Sequence, residues 1–128
     1  MIGILEQVRQ LQRLDDQQRR VDPPIPKSAK VELETGCELQ CRFCPSSLRP
    51  RAHTTLPREA FVRIVGQLRS LGVQHLGLFY INEPFLCDWL PDAIRIAKRD
   101  FGYPYVFLTS NGLAATPDRV RSCFEAGL

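Results

Sequence analysis

Three cysteines within eight residues are the part of this 128-residue chain best suited to chemistry. Cys37, Cys41 and Cys44 lie in Thr-Gly-Cys-Glu-Leu-Gln-Cys-Arg-Phe-Cys-Pro, a C-x3-C-x2-C spacing bounded by Gly36 and Pro45. Thiolates are soft ligands that suit zinc or an iron–sulfur cluster. A structural zinc ion wants four ligands, usually as paired C-x2-C units or Cys/His combinations at finger spacing. No second pair follows, because Cys87, Cys123, His53 and His75 are single residues. Three thiolates with a vacant fourth position favour an iron–sulfur centre that keeps one place for an exogenous molecule. A non-catalytic structural or electron-transfer module that holds zinc or a cluster on the same cysteines is the alternative.

Positioning those thiols requires a scaffold, and the pattern from Lys30 onward supplies one. Lys30 to Glu34 alternates apolar Val31 and Leu33 with polar residues, which predicts a strand leading into the cysteine loop. A helix opens at Pro57, carries Ala60, Phe61, Ile64, Val65, Leu68 and Leu71 at helical spacing, and stops at Gly72. Val73 to Ile81 is a dense apolar run suited to a strand buried on both faces, ending at Asn82-Glu83-Pro84. A second helix has Pro91 early, Ile94 and Ala97 inward, and Gly102 beyond its end. Pro104 to Ser110 is a third strand closed by Asn111-Gly112. A third helix begins after Thr116 as N-cap, carries Val120 and Phe124, and stops at Gly127.

The order βαβαβα implies parallel strands joined by helical crossovers. Ligands of such sheets bind beyond the C-terminal strand ends. The cysteine loop, Asn82-Glu83-Pro84 and Ser110-Asn111-Gly112 all fall there. Three βα units close no barrel, and Leu128 follows Gly127 where another strand is expected, so the chain reads as part of a larger fold. Ahead of it, residues 1–27 read as a separate segment. Ile4, Val8, Leu11 and Leu14 mark an amphipathic helix over 1–20, and Pro23, Pro24 and Pro26 interrupt it as a connector. The core domain is expected over 28–128.

Composition narrows the class. The chain is 44% hydrophobic and 24% charged, with no apolar run of the roughly 20 residues a bilayer span needs. Glu6, Arg9 and Arg13 break the first segment, which does not read as a signal peptide, so the expectation is a cytoplasmic protein without a membrane partner. Five cysteines in that setting point to metal or catalytic work rather than disulfides. A net charge of +3, dispersed, gives no indication of nucleic-acid binding. Arg49, Arg51, His53 and Arg58 form a basic stretch, read as a solvated loop in preference to a clamp for an acidic substrate. Cys87 and Cys123 read as half-buried core or surface thiols, and His75 as packed within its strand.

The cysteine loop after a first strand, with aromatic Phe43 before the third cysteine, resembles that of the radical S-adenosylmethionine (radical SAM) superfamily. The resemblance covers about residues 30–128 and includes Glu83-Pro84, Ser110-Asn111-Gly112 and the closing Phe-Glu-Ala-Gly-Leu, which looks like the lead into a fourth strand. It implies an α/β fold, the (βα)3 portion of a partial (β/α)6 TIM-like barrel. It implies an enzyme whose [4Fe–4S] cluster is held by Cys37, Cys41 and Cys44, the open iron chelating the amino and carboxylate groups of S-adenosylmethionine. Reductive cleavage there yields a 5′-deoxyadenosyl radical that abstracts hydrogen from a substrate the sequence does not name. An electron donor such as flavodoxin or ferredoxin is the implied partner. By the same resemblance Phe43 covers the adenine and Glu83 bonds the methionyl ammonium. Ile81 and Asn82 replace both glycines of a Gly-Gly-Glu-type motif, leaving Asn82 to contribute there. Ser110 and Asn111 contact the ribose or carboxylate, although Asn-Gly is equally a turn signal. Later strands normally complete the substrate pocket, so a truncated, inactive chain is the competing expectation.

Overall fold

The structure is a computed structural model that describes residues 25–48 and 51–128; the expected N-terminal helix, most of the Pro-rich connector and Arg49 lie outside the described residues. Strands β1 (Ser28–Lys30), β2 (His75–Gly77) and β3 (Tyr105–Phe107) form one parallel sheet in the order β1-β2-β3. Ala29, Leu76 and Val106 lie opposite one another across it. Helices α1 (Arg58–Ser70), α2 (Leu90–Arg95) and α3 (Pro117–Ala126) follow the strands in turn. The result is α/β, three parallel strands with helical crossovers, consistent with a portion of a TIM-like barrel. No helix among the described residues is long and apolar enough to cross a membrane.

Local chemistry explains the helix limits. Pro57 precedes α1, where a missing N–H costs nothing. Thr116 caps α3 through its hydroxyl, which accepts from the Arg119 N–H at 3.4 Å. Gly127 ends that helix at φ +114°, a left-handed conformation that only glycine adopts cheaply. Helix α2 widens into a π-helical turn, Ile96–Asp100, before the chain reaches β3.

One face of the sheet meets the helices. Leu33, Leu76 and Leu78 are buried with Phe61 and Val65 of α1, Ala93 and Ile94 of α2, and Cys123 and Ala126 of α3. Phe61 meets Trp89 edge-on at 5.3 Å, and the buried Tyr103 hydroxyl donates to Val65 O at 2.7 Å. The other face is open. It carries Lys30, exposed His75, Phe79, Tyr105 and Phe107, with the Lys30 ammonium 4.6 Å from the Phe79 ring and Tyr105 stacked on Phe107. The second strand is therefore not buried on both faces, because no helix covers this side among the described residues.

Phe124 of α3 is 63% exposed, because the helix turns Cys123 and Ala126 inward. Two further expectations are corrected. Cys87 and Cys123 are fully buried rather than half-buried, and burial pushes the Cys87 thiol up to about 11. The first strand pairs with β2 two residues earlier than the alternation predicts. After Val31, whose N–H donates to Gly77 O at 2.8 Å, the chain leaves β2 for another partner described below.

Candidate metal centre

That partner is the return segment after the cysteine loop. The Leu56 N–H donates to Leu33 O at 2.7 Å, the Thr35 N–H donates to Thr54 O at 2.9 Å, and Glu34 bridges Thr55 in antiparallel sense. The Thr35 hydroxyl adds a bond to Ala52 O at 2.5 Å and accepts the Thr54 N–H at 3.0 Å. The loop is thus an excursion from a closed stem, and closing it removes most of the freedom the thiols would otherwise have.

Charge reinforces the stem. Arg51 donates bidentately to Glu32 at 2.6 and 3.0 Å and also to Ile81 O at 3.1 Å, while the Ile81 N–H donates back to Glu32 at 2.9 Å. Burial alone would raise the Glu32 carboxyl, but the Arg51 guanidinium and the Ile81 N–H outweigh it and hold it below its ordinary value. His53 Nε2 lies 2.5 Å from Oε1 of Glu34, a carboxylate only 5% exposed whose Oε1 has no other partner. Arg58 reaches Asp92 at 3.4 Å. The basic stretch stays exposed, as a solvated loop would, yet Arg51, His53 and Arg58 each find an acid of this chain.

Gly36 is required where the stem opens into the loop. A Cβ there would stand 2.6 Å from His53 Cδ2, so the residue before the first cysteine must be bare for His53 to reach Glu34. Beyond it, the Cys44 N–H donates to Cys41 O at 3.0 Å, and a single helical turn, Pro45–Leu48, ends the loop. Ser47 Oγ donates to Cys41 O at 2.9 Å. The Ser46 hydroxyl lies 3.1 Å from Cys44 Sγ, and with the Ser46 and Ser47 N–H groups it lowers that thiol's pKa, favouring the thiolate that binds metal. All three cysteines are partly exposed, and Phe43 at the tip is 89% exposed. A cleft of about 380 Å³ lies between Cys37 on one arm and Ser46, Arg51 and His53 on the other.

The ends of the other two strands meet this loop at Glu83, which is 1% exposed. Its N–H donates to Gly36 O at 2.7 Å. Its Oε1 accepts the Phe85 N–H at 3.0 Å and the Ser110 hydroxyl at 2.8 Å, and its Oε2 accepts the Asn111 N–H at 2.7 Å. Asn111 Nδ2 in turn lies 3.6 Å from Cys37 Sγ. Asn82 stands beside them, its Oδ1 accepting the Tyr80 N–H at 2.9 Å and its buried Nδ2 without a partner. Cys37, Glu83, Ser110 and Asn111 are thus brought together, while Phe43 points away into solvent. Glu32 and Glu34 were not singled out from the sequence. The one signal for them was two acids and two bases repeating at a spacing of two on either side of the loop.

Three free cysteine thiols on one loop are soft donors of the kind that zinc or an iron–sulfur cluster takes. No three His, Cys, Asp or Glu side chains among the described residues converge as one metal ion requires. The model of the radical SAM superfamily matches residues 31–128. The chain belongs to the radical SAM superfamily.

Relatives and solved structures agree. A GTP 3′,8-cyclase from Chlorobaculum tepidum is 29% identical over 100 residues, covering 77% of this chain and 29% of that enzyme. S-adenosylmethionine-dependent nucleotide dehydratases from Lacinutrix mariniflava and Flammeovirga pacifica are 29% and 32% identical over 79 and 78 residues. Each covers 56% of this chain, and 16% and 26% of those proteins respectively. The chain therefore spans less than a third of the curated relatives it matches. BtrN in complex with AdoMet and 2-DOIA superposes with a TM-score of 0.73 at 22% identity, covering 80% of this chain and 42% of BtrN. BtrN in an open conformation gives 0.70 at 21% identity over 80% of this chain and 46% of its own. At that identity the likeness is one of fold. Radical SAM homologues are enzymes, and the superfamily works through S-adenosylmethionine and an iron–sulfur cluster.

Proposed function

We propose that this chain supplies the cluster- and cofactor-binding half of a radical SAM enzyme, with Cys37, Cys41 and Cys44 holding a [4Fe–4S] cluster whose fourth iron is left for S-adenosylmethionine. The observation that carries this reading is the convergence on one point of three strand ends: the Glu83 N–H on Gly36 O, its carboxylate on Ser110 and Asn111, and Asn111 on Cys37. When bound, the cluster and cofactor supply one-electron cleavage and hydrogen-atom abstraction. The chain's own part is to bind and orient. Ser46 favours the Cys44 thiolate. Exposed Phe43 offers apolar cover for an adenine, and the unpartnered Asn82 amide offers a donor to an acceptor on the cofactor. Glu83 and Ser110 serve chiefly by fixing the strand ends, because both carboxylate oxygens are already engaged. That leaves the direct ammonium contact to a rearranged Glu83 or to backbone carbonyls beside it.

Anaerobic reconstitution with iron and sulfide tests the reading. A brown protein whose reduced EPR spectrum changes on adding S-adenosylmethionine supports it, with flavodoxin or ferredoxin as the electron donor to try first. Stoichiometric zinc with no such response would overturn it in favour of a structural module. The substrate class remains to be assigned by screening, and the nucleotides named in the relatives' activities are the first set, with 5′-deoxyadenosine release as the readout.

A further inference from the structure

Asn111 is held in one orientation before any cofactor arrives. Its backbone N–H donates to Glu83 Oε2 at 2.7 Å, and its side-chain Oδ1 accepts the Leu113 N–H at 2.8 Å. Ser110, the neighbour on its N-terminal side, is held by the same carboxylate and accepts the Gly112 N–H at 2.9 Å. Because Oδ1 is engaged by a donor, the atom turned toward Cys37 Sγ at 3.6 Å is the amide nitrogen, an N–H donor facing a sulfur. Asn111 is exposed, yet this contact requires little further ordering, since both ends of the residue are already fixed.

We propose that Asn111 is a positioning residue that sets the reduction potential of the cluster by donating an N–H···S hydrogen bond to the Cys37 thiolate. The inference rests on the reading of Cys37 as a cluster ligand, and it gives Asn111 a role distinct from contact with ribose or carboxylate. Hydrogen bonds to ligating sulfurs are among the levers that tune iron–sulfur potentials. A donor on the sulfur withdraws electron density, and charge-assisted bonds strengthen as the acceptor gains negative charge. The reduced cluster carries one more electron than the oxidised one, so the bond favours the reduced state and raises the potential. Glu83 enters at one remove: it holds the Asn111 backbone, and through it the amide, over the sulfur. Cys41 and Cys44 have no such donor from a neighbouring strand among the described residues, so the effect falls on one corner of the cluster.

The test uses the reconstituted chain and reads iron and sulfide content, midpoint potential and exchangeable-proton hyperfine coupling separately. Wild type is expected to take up a full cluster and to show a coupling to an exchangeable proton that disappears in Asn111→Leu. Asn111→Leu is expected to keep its cluster and to have a more negative potential. Asn111→Asp keeps the Oδ1 acceptor for Leu113 but turns an anion toward the sulfur, so its potential should fall further. Equal potentials for wild type and Asn111→Leu at equal iron content would overturn the proposal, as would a wild-type cluster lacking the exchangeable coupling. If Asn111→Leu fails to load, the Asn111→Asp potential decides between the same outcomes. A wild-type chain that takes up no cluster at all overturns the parent reading instead, and is recognised by iron content alone.

Discussion

The stem and the tip of the cysteine loop are built on opposite terms. At the stem, Glu32, Glu34 and Glu83 are each engaged by donors from distant parts of the chain, and two of the three carboxylates are almost fully buried. At the tip, Phe43 and Leu48 are 89% and 78% exposed, and the loop is secured mainly by short-range bonds among Cys41, Cys44, Ser46 and Ser47. The chain completes its own stem, and among the described residues nothing covers the apolar surface at the tip. A site whose frame is rigid before binding loses less entropy when the ligand arrives. The contrast locates preorganisation in the acids around the loop rather than in the thiols.

Removing Glu83 is the most direct way to break that contrast. Glu83→Ala strips an acceptor from the Phe85 and Asn111 N–H groups and the Ser110 hydroxyl, and a buried donor left unpaired costs about 1–3 kcal/mol. The expected loss in urea unfolding is on the order of 3 kcal/mol or more, since three donors are involved. A loss below about 1 kcal/mol would mean water replaces the carboxylate and the strand ends are not tied by it. Gly36→Ala attacks the same stem from the loop side. Its Cβ cannot coexist with the His53 ring in place, so the exposed imidazole must shift away from the buried Glu34 carboxylate. About 2 kcal/mol of destabilisation is expected. Gly36→Ala combined with His53→Ala should recover the steric part and keep the electrostatic part.

These two variants also show where the sequence was readable. The helix limits were legible because proline, threonine and glycine act locally: Pro57, Thr116 and Gly127 mark boundaries without reference to the rest of the fold. The grouping of the Cys37 loop with Glu83 and Asn111 was legible because parallel sheets gather their strand ends. The stem was not. Glu34 reaches His53 and Glu32 reaches Arg51 across 19 residues, and no periodicity reports a contact that depends on the loop folding back. Residues 51–56 look like polar loop in isolation and become strand-like only against Leu33 and Thr35. Which face of α3 turns inward was equally illegible, because the small Cys123 and Ala126 are buried while Phe124 stays exposed.

The ion pair at Glu32 gives a gentler test with a definite pH sense. Its carboxyl is held below the ordinary value in the folded chain, so the unfolded chain binds the proton more readily. The resulting stability is fully present above the ordinary glutamate value, near about 4.3, and is lost as pH falls through the lower folded value. Arg51→Met should remove that acid-sensitive component and cost about 1 kcal/mol at neutral pH, the scale of a well-formed but partly exposed pair. An unfolding free energy with the same slope below pH 5 in Arg51→Met and wild type would show that Glu32 draws its stability from the Ile81 N–H alone.

The smallest effect on folding is expected at the tip, and it is the one that sharpens the comparison most. Phe43 is 89% exposed and belongs to no part of the core, so Phe43→Ala should change unfolding free energy by no more than about 0.5 kcal/mol. An aromatic ring kept in water on the cysteine loop is explained if a ligand covers it, because burying such a side chain is worth about 1.5–3 kcal/mol. The same variant, reconstituted with its cluster, should therefore bind S-adenosylmethionine about four- to twelvefold more weakly if half of that burial is realised. Titrating the cofactor-dependent change in the reduced EPR spectrum reads that shift, and urea unfolding reads the stability. A loss of stability with unchanged affinity would reverse the assignment, making the tip part of the frame and returning the cofactor contact to the strand ends.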